Sequence, residues 1–243
     1  MDGLEHKREK WNYIARKILL TDEKLYIKYA DVTVTDNKAI QQYVFKTYSK
    51  HSKFIAYGGD HVKRNVTSAY TENILKKFGL QKQEYYIALC RIEPENNCHL
   101  ILEAFANLDK TLLFIGNFDN GTYSQNLKKK YQNTSNIIIS NPIYDLDTLF
   151  VLRSNAKGYI HGHSAGGTNP SLVEAMFFDV PVFAFDVIYN RETTDNSASY
   201  FKDILSLRDL ISYKQTYSAE KTKRFAEENY TWQKIVTQYE ALY

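Results

Sequence analysis

The sequence has few of the residues that cross-link or interrupt a chain: two cysteines, four prolines and ten glycines in 243 residues. Cys90 and Cys98 cannot form a disulfide framework, and their spacing matches no familiar metal-binding pattern. No apolar run approaches the ~20 residues that cross a bilayer. The net charge of +3 is too small to indicate a nucleic-acid partner. The sequence therefore predicts neither an integral membrane segment nor nucleic-acid binding.

The composition is that of a globular chain, with 44% hydrophobic and 24% charged residues. The length suffices for one large domain or two small ones. The N-terminal residues are charged where a signal peptide would be apolar. We therefore expect a cytoplasmic protein, and peripheral association with the inner membrane stays an open alternative.

The N-terminal sixty residues show helical periodicity interrupted by two short β-branched or apolar runs. Apolar residues at three- and four-residue steps predict a helix within the first thirty residues. A second helix is expected from a cap at Asp36 to about Tyr48. Short strands are expected at 32–35 and 53–57, and the adjacent glycines Gly58 and Gly59 predict a turn or hinge.

After this hinge, short apolar runs alternate regularly with helical patterns. Strands are predicted at 85–89, 111–115, 136–139, 158–161 and 181–184, and helices at 100–106, 123–131, 145–152, 171–177, 203–211, 218–229 and 231–242. Strands that are apolar on both faces and alternate with helices indicate βαβ units. The sequence therefore predicts an α/β fold with a doubly wound parallel sheet.

The strongest candidate site is the glycine-rich loop at 162–169, which follows a predicted strand and enters a helix near Pro170. Peptide N–H groups at a helix N-terminus form a binding site for a diphosphate. Glu174, on the first turns of that helix, would lie near a ribose or sugar hydroxyl. The alternative is a tight turn whose glycines serve the geometry alone.

Two arginines follow predicted strands and are candidate phosphate ligands. Arg91 would lie at the carboxyl edge of the sheet, where a guanidinium can bind phosphate oxygens. A surface ion pair with Glu93 or Glu95 is the alternative. Arg191 lies on a further loop of the same edge, and an ion pair with Glu192 is its alternative.

Several established motifs are absent from the sequence. It contains no G-x-x-x-x-G-K-[ST], no G-x-G-x-x-G after the first strand and no G-x-S-x-G. A P-loop enzyme, a dehydrogenase and a serine hydrolase are therefore disfavoured. His161 and His163 alternate along a strand but lack a third convergent ligand, so no metal is predicted.

The motifs resemble a known enzyme family. Asp2-Gly3-Leu4-Glu5 with Lys7-Arg8, the segment 91–97, the segment 162–171 and Asn190-Arg191-Glu192 resemble the rhamnosyltransferase-like subgroup of the group 1 (family 4) GT-B glycosyltransferases. The resemblance implies two Rossmann-like domains, with the acceptor on the first and a nucleotide sugar on the second. Residues 1–57 would be a helical remnant of the acceptor domain, and 58–243 the nucleotide-sugar-binding, C-terminal domain.

The resemblance also implies a function. The chain would be the donor-binding portion of a retaining glycosyltransferase in bacterial surface polysaccharide synthesis, with dTDP-rhamnose as the expected donor. No cofactor and no metal are implied, and no catalytic residue is predicted. The donor-binding residues would be Arg91, Glu93, Asn97, His163, Gly166, Gly167, Thr168, Asn169, Glu174 and Arg191.

Within that set, Arg91 would hold the diphosphate, the backbone from Gly166 to Asn169 would cradle it, and Glu174 would bind the ribose. Two departures from the wider family are visible. Gly166 replaces the first carboxylate of the Glu-x7-Glu motif. The family's lysine a few residues after Arg91 is also absent, with Asn96 and Asn97 in that stretch, so Arg191 becomes the second candidate cation.

The chain is shorter than a complete enzyme of this architecture, which has consequences for partners and activity. The first helix should present Trp11, Ile14 and Ile18 to strands that the sequence does not contain. We therefore expect a homodimer, or a separate acceptor-domain chain, in contact through residues 5–50. The chain alone is expected to be inactive in transfer. The alternative function is a non-catalytic nucleotide-binding or interaction module, as a subunit of a two-chain enzyme or a truncated gene product.

Overall fold

The computed structural model describes residues 1, 3–8, 11–213 and 218–243, so the motif residue Asp2 lies outside the described residues. The strands are β1 (Val34–Thr35), β2 (Lys53–Phe54), β3 (Tyr85–Leu89), β4 (Thr111–Ile115), β5 (Ile137–Ser140), β6 (Gly158–His161), β7 (Val182–Phe185) and β8 (Ser199–Phe201). The helices are α1 (Tyr13–Tyr29), α2 (Lys38–Tyr48), α3 (Ser68–Lys77), α4 (Cys98–Ala106), α5 (Thr122–Tyr131), α6 (Leu146–Ser154), α7 (Pro170–Ala175), α8 (Ile188–Thr193), α9 (Ile204–Ser212), α10 (Glu220–Asn229) and α11 (Trp232–Glu240).

The larger sheet has six strands in the order β5-β4-β3-β6-β7-β8, and every pairing is parallel. Successive residues of β3 enter opposite cores. Tyr86 and Ala88 pack with α4, α5 and α9, whereas Tyr85 and Ile87 pack with α3, α6 and α7. Both faces of the sheet are thus covered, which explains why its strands are apolar on both sides. The predicted α/β fold with a doubly wound parallel sheet is confirmed.

The strand order creates a crevice between β3 and β6. From β3 the chain continues to β4 on one side, and from β6 it continues to β7 on the other. Loops that leave neighbouring strands in opposite directions separate above the sheet, and ligands bind at this position in open α/β sheets. The arginine loop and the glycine loop follow these two strands, so the topology brings the two principal candidate segments together.

The N-terminal elements form a small layer of their own. β1 and β2 pair in parallel, with Val34 opposite Lys53. Behind them, Leu4, Ile27, Ile40 and Val44 form a small buried cluster. Most of α1 faces solvent, and Ile27 is its buried residue. The predicted division of the chain after residue 57 stays a prediction.

Some elements differ from their sequence-based prediction. Asn37, not Asp36, caps α2, because the Asp36 carboxylate turns to the Thr168 amide instead. Three elements, α3, α8 and β8, were not predicted from the sequence. The α3 cap at Thr67 was legible in the sequence, whereas β8 is a three-residue edge strand. None of the described helices is both long and apolar enough to span a bilayer.

Candidate functional site

Two adjacent cavities open at the carboxyl edge of the six-stranded sheet. The larger, of about 680 Å³, is lined by the segments that follow β3, β4 and β5 and by the start of α7. The smaller, of about 220 Å³, is lined by the glycine loop together with Glu5, Arg8 and Tyr57 from the N-terminal segment. Arg91, Asn169 and Pro170 line both, so the cavities share a wall and form one continuous candidate site.

Most of the predicted donor-binding residues line these cavities. Glu93 and Glu174 line the larger cavity, and Arg91 and Asn169 line both. The smaller cavity adds His163, Gly166, Gly167 and Thr168. Asn97 and Arg191 line neither of the two. The topology therefore assembles eight of the ten predicted residues, which are separated by up to 83 positions in the sequence.

Arg91 presents an exposed cation to both cavities. Its side chain is 68% exposed, and Nη1 lies 3.7 Å from Glu93 Oε1, so the surface ion pair given as the alternative is present but long. The backbone below it is fixed, because the Asn96 side-chain amide donates to the Arg91 carbonyl at 2.7 Å. Exposed ion pairs contribute little free energy, so the guanidinium can exchange Glu93 for another anion at small cost.

The glycine loop is bound to the N-terminal segment by a buried carboxylate. Thr168 N–H donates to Asp36 Oδ2 at 2.9 Å, and the Thr168 hydroxyl donates to the Asp36 carbonyl. A Cβ at Gly167 would lie 2.2 Å from Asp36 Oδ1, so a side chain at this position would collide with the carboxylate. The Thr168 amide is thus already engaged, and a diphosphate would have to use other donors of the loop.

Glu174 is held between two side chains at the edge of the larger cavity. Its Oε2 accepts from Nη1 of Arg153 at 2.7 Å, and its Oε1 lies 3.5 Å from Nε2 of His61. The Trp232 indole donates to His61 Nδ1 at 2.9 Å, so the neutral ring carries its proton on Nε2, facing Glu174. The Arg153 side chain is only 4% exposed, and its guanidinium lies 4.8 Å from the Phe178 ring centre.

Arg153 and His61 were not predicted as site residues. The signal for Arg153 was a single cation directly after the apolar run Leu149-Phe150-Val151-Leu152 of α6. A buried cation needs a partner, and Glu174 is that partner. His61 follows the double glycine of the predicted hinge, and nothing local in the sequence links it to Glu174, 113 positions away.

The two histidines at the end of β6 are neutral. Burial lowers the pKa of His161 to about 3 and that of His163 to about 4, with the Arg8 and Arg91 charges also lowering the His163 pKa. His163 Nδ1 lies 2.7 Å from Asn96 Oδ1 and donates to it, since the Asn96 nitrogen faces the Arg91 carbonyl. Across the described ranges, no three histidine, cysteine, aspartate or glutamate side chains gather as a metal site.

Arg8 is a cation of the site that the sequence analysis did not assign. Its Nη1 donates to Glu5 Oε1 at 2.6 Å, and its Nη2 donates to Glu95 Oε2 at 2.6 Å. These carboxylates raise the pKa of Arg8 well above its usual value. The side chain is 13% exposed, so the guanidinium is held rigidly in the wall of the smaller cavity. The Lys7-Arg8 pair in the quoted motif was the available signal.

Arg191 and Asn97 have structural contacts where they lie. Arg191 Nη2 donates to Asp186 Oδ2 at 3.0 Å, and its guanidinium lies 4.1 Å from the Tyr200 ring centre. The alternative of a structural ion pair thus holds for Arg191, but with Asp186 as the partner and not Glu192. Asn97 donates to the Gly162 carbonyl at 2.8 Å and joins the two loops of the site. Ligand binding by either residue stays a prediction.

The chain matches two known protein families. Residues 71–201 match the family described as Glycosyl transferases group 1. The chain belongs to this family. Residues 1–60 match a second family, described as a domain of unknown function (DUF1972). The group 1 glycosyltransferase match contains α4 to β8 and both strand ends that form the crevice, so the family assignment and the site coincide.

Longer proteins are similar to this group 1 glycosyltransferase chain, one in sequence and two in fold. It is 24% identical to the uncharacterized glycosyltransferase MJ1069 of Methanocaldococcus jannaschii over 90% of the chain and 60% of that relative. The structure resembles sucrose-phosphate synthase (tll1590) from Thermosynechococcus elongatus (TM-score 0.79, 17% identity, 99% of this chain and 64% of that one). It also resembles Anabaena Alr3699/HepE in complex with UDP-glucose (TM-score 0.80, 14% identity, 98% of this chain and 69% of that one). The chain thus spans less than two thirds of the first two.

Proposed function

We propose that the chain is the donor-binding portion of a retaining glycosyltransferase that uses a nucleoside-diphosphate sugar. The observation that carries the proposal is the meeting of Arg91 with Asn169 and Glu174 in one 680 Å³ cavity at the strand-order switch point. Cavities of this size hold small-molecule substrates. The family assignment supports sugar transfer, and the UDP-glucose complex of Alr3699/HepE supports a nucleotide sugar as the donor.

The two cavities suit different parts of such a donor. The larger has apolar walls, including Ile92, Ile115, Ile143 and Leu149, which suit a nucleoside. The smaller is walled by Arg8, Glu5, His163 and the glycine loop, which suit a diphosphate and a sugar. Arg91 lies between the two compartments. Following the motif resemblance, we propose dTDP-rhamnose as the donor and bacterial surface polysaccharide synthesis as the setting.

Titration calorimetry with UDP-, GDP-, dTDP- and ADP-sugars tests this function. The wild-type chain should bind at least one of them. Arg91→Ala and Glu174→Ala should each weaken that binding by about ten- to a hundredfold, because hydrogen bonds to charged groups contribute about 1.5–3 kcal/mol. Arg64→Ala is the matched control, since Arg64 pairs with Asp147 and lines neither cavity. Unchanged affinity in both site variants would contradict the proposed donor site.

Transfer itself is expected to need more than this chain. Much of the rate of group transfer comes from positioning an acceptor beside the reacting carbon and excluding water. We therefore propose that the chain binds its donor but transfers little sugar alone. Detectable glycosyl transfer by the purified chain would contradict this part of the proposal.

A further inference from the structure

Arg8 connects the N-terminal segment to the predicted donor site through carboxylates that an anion could replace. Glu95 holds the guanidinium from one side, with bonds from Nε at 2.9 Å and Nη2 at 2.6 Å to one oxygen. Glu5 holds Nη1 from the other side. The two carboxylates differ in exposure, since the Glu95 side chain is 12% exposed and that of Glu5 is 42% exposed.

Glu5 can leave Arg8 without losing every partner. Its second carboxylate oxygen accepts from the Trp11 indole nitrogen at 3.1 Å. Glu95, in contrast, is less exposed and forms an almost bidentate pair with Arg8, a geometry that fixes the guanidinium plane. The Glu5 contact is therefore the exchangeable one, and the Glu95 contact is the support.

The charges around the smaller cavity are unbalanced. Arg8 and Arg91 face Glu5, Glu93 and Glu95, with Glu93 Oε2 at 3.8 Å from Arg8 Nη2 and Glu93 Oε1 at 3.7 Å from Arg91 Nη1. Among the residues that the structure describes here, these three carboxylates outnumber the two arginines, at a site whose glycine loop suits an anion. An entering diphosphate must therefore displace a carboxylate, and the exposed Glu5 is the one that can move.

We propose that Arg8 is the second cation for the donor diphosphate, and that Glu5 occupies its anion position until the donor binds. The inference rests on the proposed function and adds to it a ligand from the N-terminal segment. Arg8 supplies a second positive charge at the site, since the segment 91–97 contains no lysine. A planar guanidinium held on one edge by Glu95 keeps its other donors oriented for phosphate oxygens.

Calorimetric titration of the full chain with inorganic pyrophosphate tests the inference without a nucleoside. Arg8→Gln should weaken pyrophosphate binding about ten- to a hundredfold, as expected for lost hydrogen bonds to a charged group. Glu5→Gln should tighten it about two- to fivefold, the range for an exposed ion pair that competes. Arg64→Gln removes an equal charge outside both cavities and should change nothing. Arg8→Lys keeps the charge without the planar fork and should give an intermediate affinity.

The outcomes separate this inference from the proposed function. Wild-type affinity in Arg8→Gln, or unchanged or weaker binding in Glu5→Gln, overturns the inference, as does a wild-type chain that binds no pyrophosphate. Nucleotide-sugar binding that survives in those cases leaves the proposed function standing. Pyrophosphate binding that depends on Arg8, with no nucleotide sugar bound, supports the anion site and contradicts the proposed function. If Arg8→Gln fails to fold, Arg8→Lys and Glu5→Gln decide the question.

Discussion

His161 is a buried histidine whose protonation should cost stability. It is 3% exposed, its Nε2 has no hydrogen-bond partner among the described residues, and its ring lies 6.2 Å from that of His163. Burial lowers its pKa from 6.5 to about 3. The unfolded chain therefore takes up a proton near pH 6.5, whereas the folded chain does not do so until about pH 3. The folded chain therefore has its full free energy of unfolding above pH 6.5 and loses part of it as the pH falls from 6.5 towards 3.

We expect the free energy of unfolding to depend less on pH when His161 is replaced by Gln. Between pH 7 and pH 5 the wild-type chain should lose about 2 kcal/mol more than His161→Gln, from 1.4 kcal/mol per pH unit below 6.5. Urea denaturation at both pH values measures the difference. His163, whose pKa shifts in the same direction, remains in both proteins and cancels. Identical pH dependence would show that His161 takes up its proton at the same pH in the folded and the unfolded chain.

Arg153 should act on the donor through Glu174 and not by direct contact. Its guanidinium is buried between α6 and α7 and donates to Glu174 at 2.7 Å. We expect Arg153→Gln to weaken nucleotide-sugar binding by up to about tenfold, since Glu174 loses its charged donor. The readout specific to positioning is the double variant: once Glu174 is Ala, Arg153→Gln should have no further effect on affinity. Additive losses would assign Arg153 a separate role.

At the scale of residues, the sequence indicated which residues would line the cavities better than it indicated which residues they would contact. Arg91, Glu174 and the glycine loop were legible because each follows a strand or opens a helix, and topology brings such positions together. Arg8, Asp36 and His61 were missed because their partners Glu95, Thr168 and Glu174 lie 87, 132 and 113 positions away in the sequence. No local pattern contains a contact of that length.

At the scale of elements, the site depends on the contact between the β1–α2 turn and the glycine loop. Asp36 binds Thr168, and the neighbouring Asn37 donates to the Tyr189 carbonyl at 3.2 Å at the start of α8. The contact positions the N-terminal segment, and with it Arg8, beside the loop that follows β6. Loss of this contact should therefore change both stability and the anion site.

Gly167→Ala tests this contact by steric exclusion. The new Cβ would lie 2.2 Å from Asp36 Oδ1, so we expect a loss of about 1–3 kcal/mol in the free energy of unfolding. Asp36→Ala alone should also destabilise the chain, because the Thr168 N–H loses its acceptor. In the double variant the collision is gone, so its loss in the free energy of unfolding should be smaller than the sum of the two single losses. Urea denaturation gives all four values, and full additivity would contradict the contact.

Strands were predictable from the sequence where both of their faces are buried. The runs 85–89, 111–115 and 158–161 are apolar on both faces, and β3, β4 and β6 occupy the same residues. β8 escaped prediction because only Phe201 of its three residues is fully buried. The runs at 32–35 and 53–57 shrank to two residues each, since β1 and β2 have only one another as partners.

At the scale of the whole molecule, the N-terminal helices expose an apolar surface. Tyr13, Ile14, Ile18 and Tyr29 of α1 are 70%, 69%, 57% and 71% exposed, and Phe45 of α2 is 51% exposed. Apolar surface of this extent on one pair of helices is typical of an interaction site. The exposure is consistent with a contact through residues 5–50, and a second copy or an acceptor-domain chain as the partner stays a prediction.

Light scattering after size-exclusion chromatography at micromolar concentration tests this contact. We expect a homodimer if the surface pairs with itself, because burying several large apolar side chains contributes about 1.5–3 kcal/mol each. Ile14→Glu with Ile18→Glu should then give a monomer, whereas Leu205→Glu, at a 68% exposed position of α9, should leave the dimer intact. If the wild-type chain is a monomer and binds no more apolar dye than the double variant, a contact region at this surface is contradicted. If the wild-type chain is a monomer that binds the dye and the double variant does not, the partner is a separate chain. The same apolar side chains would then be accessible and unpaired.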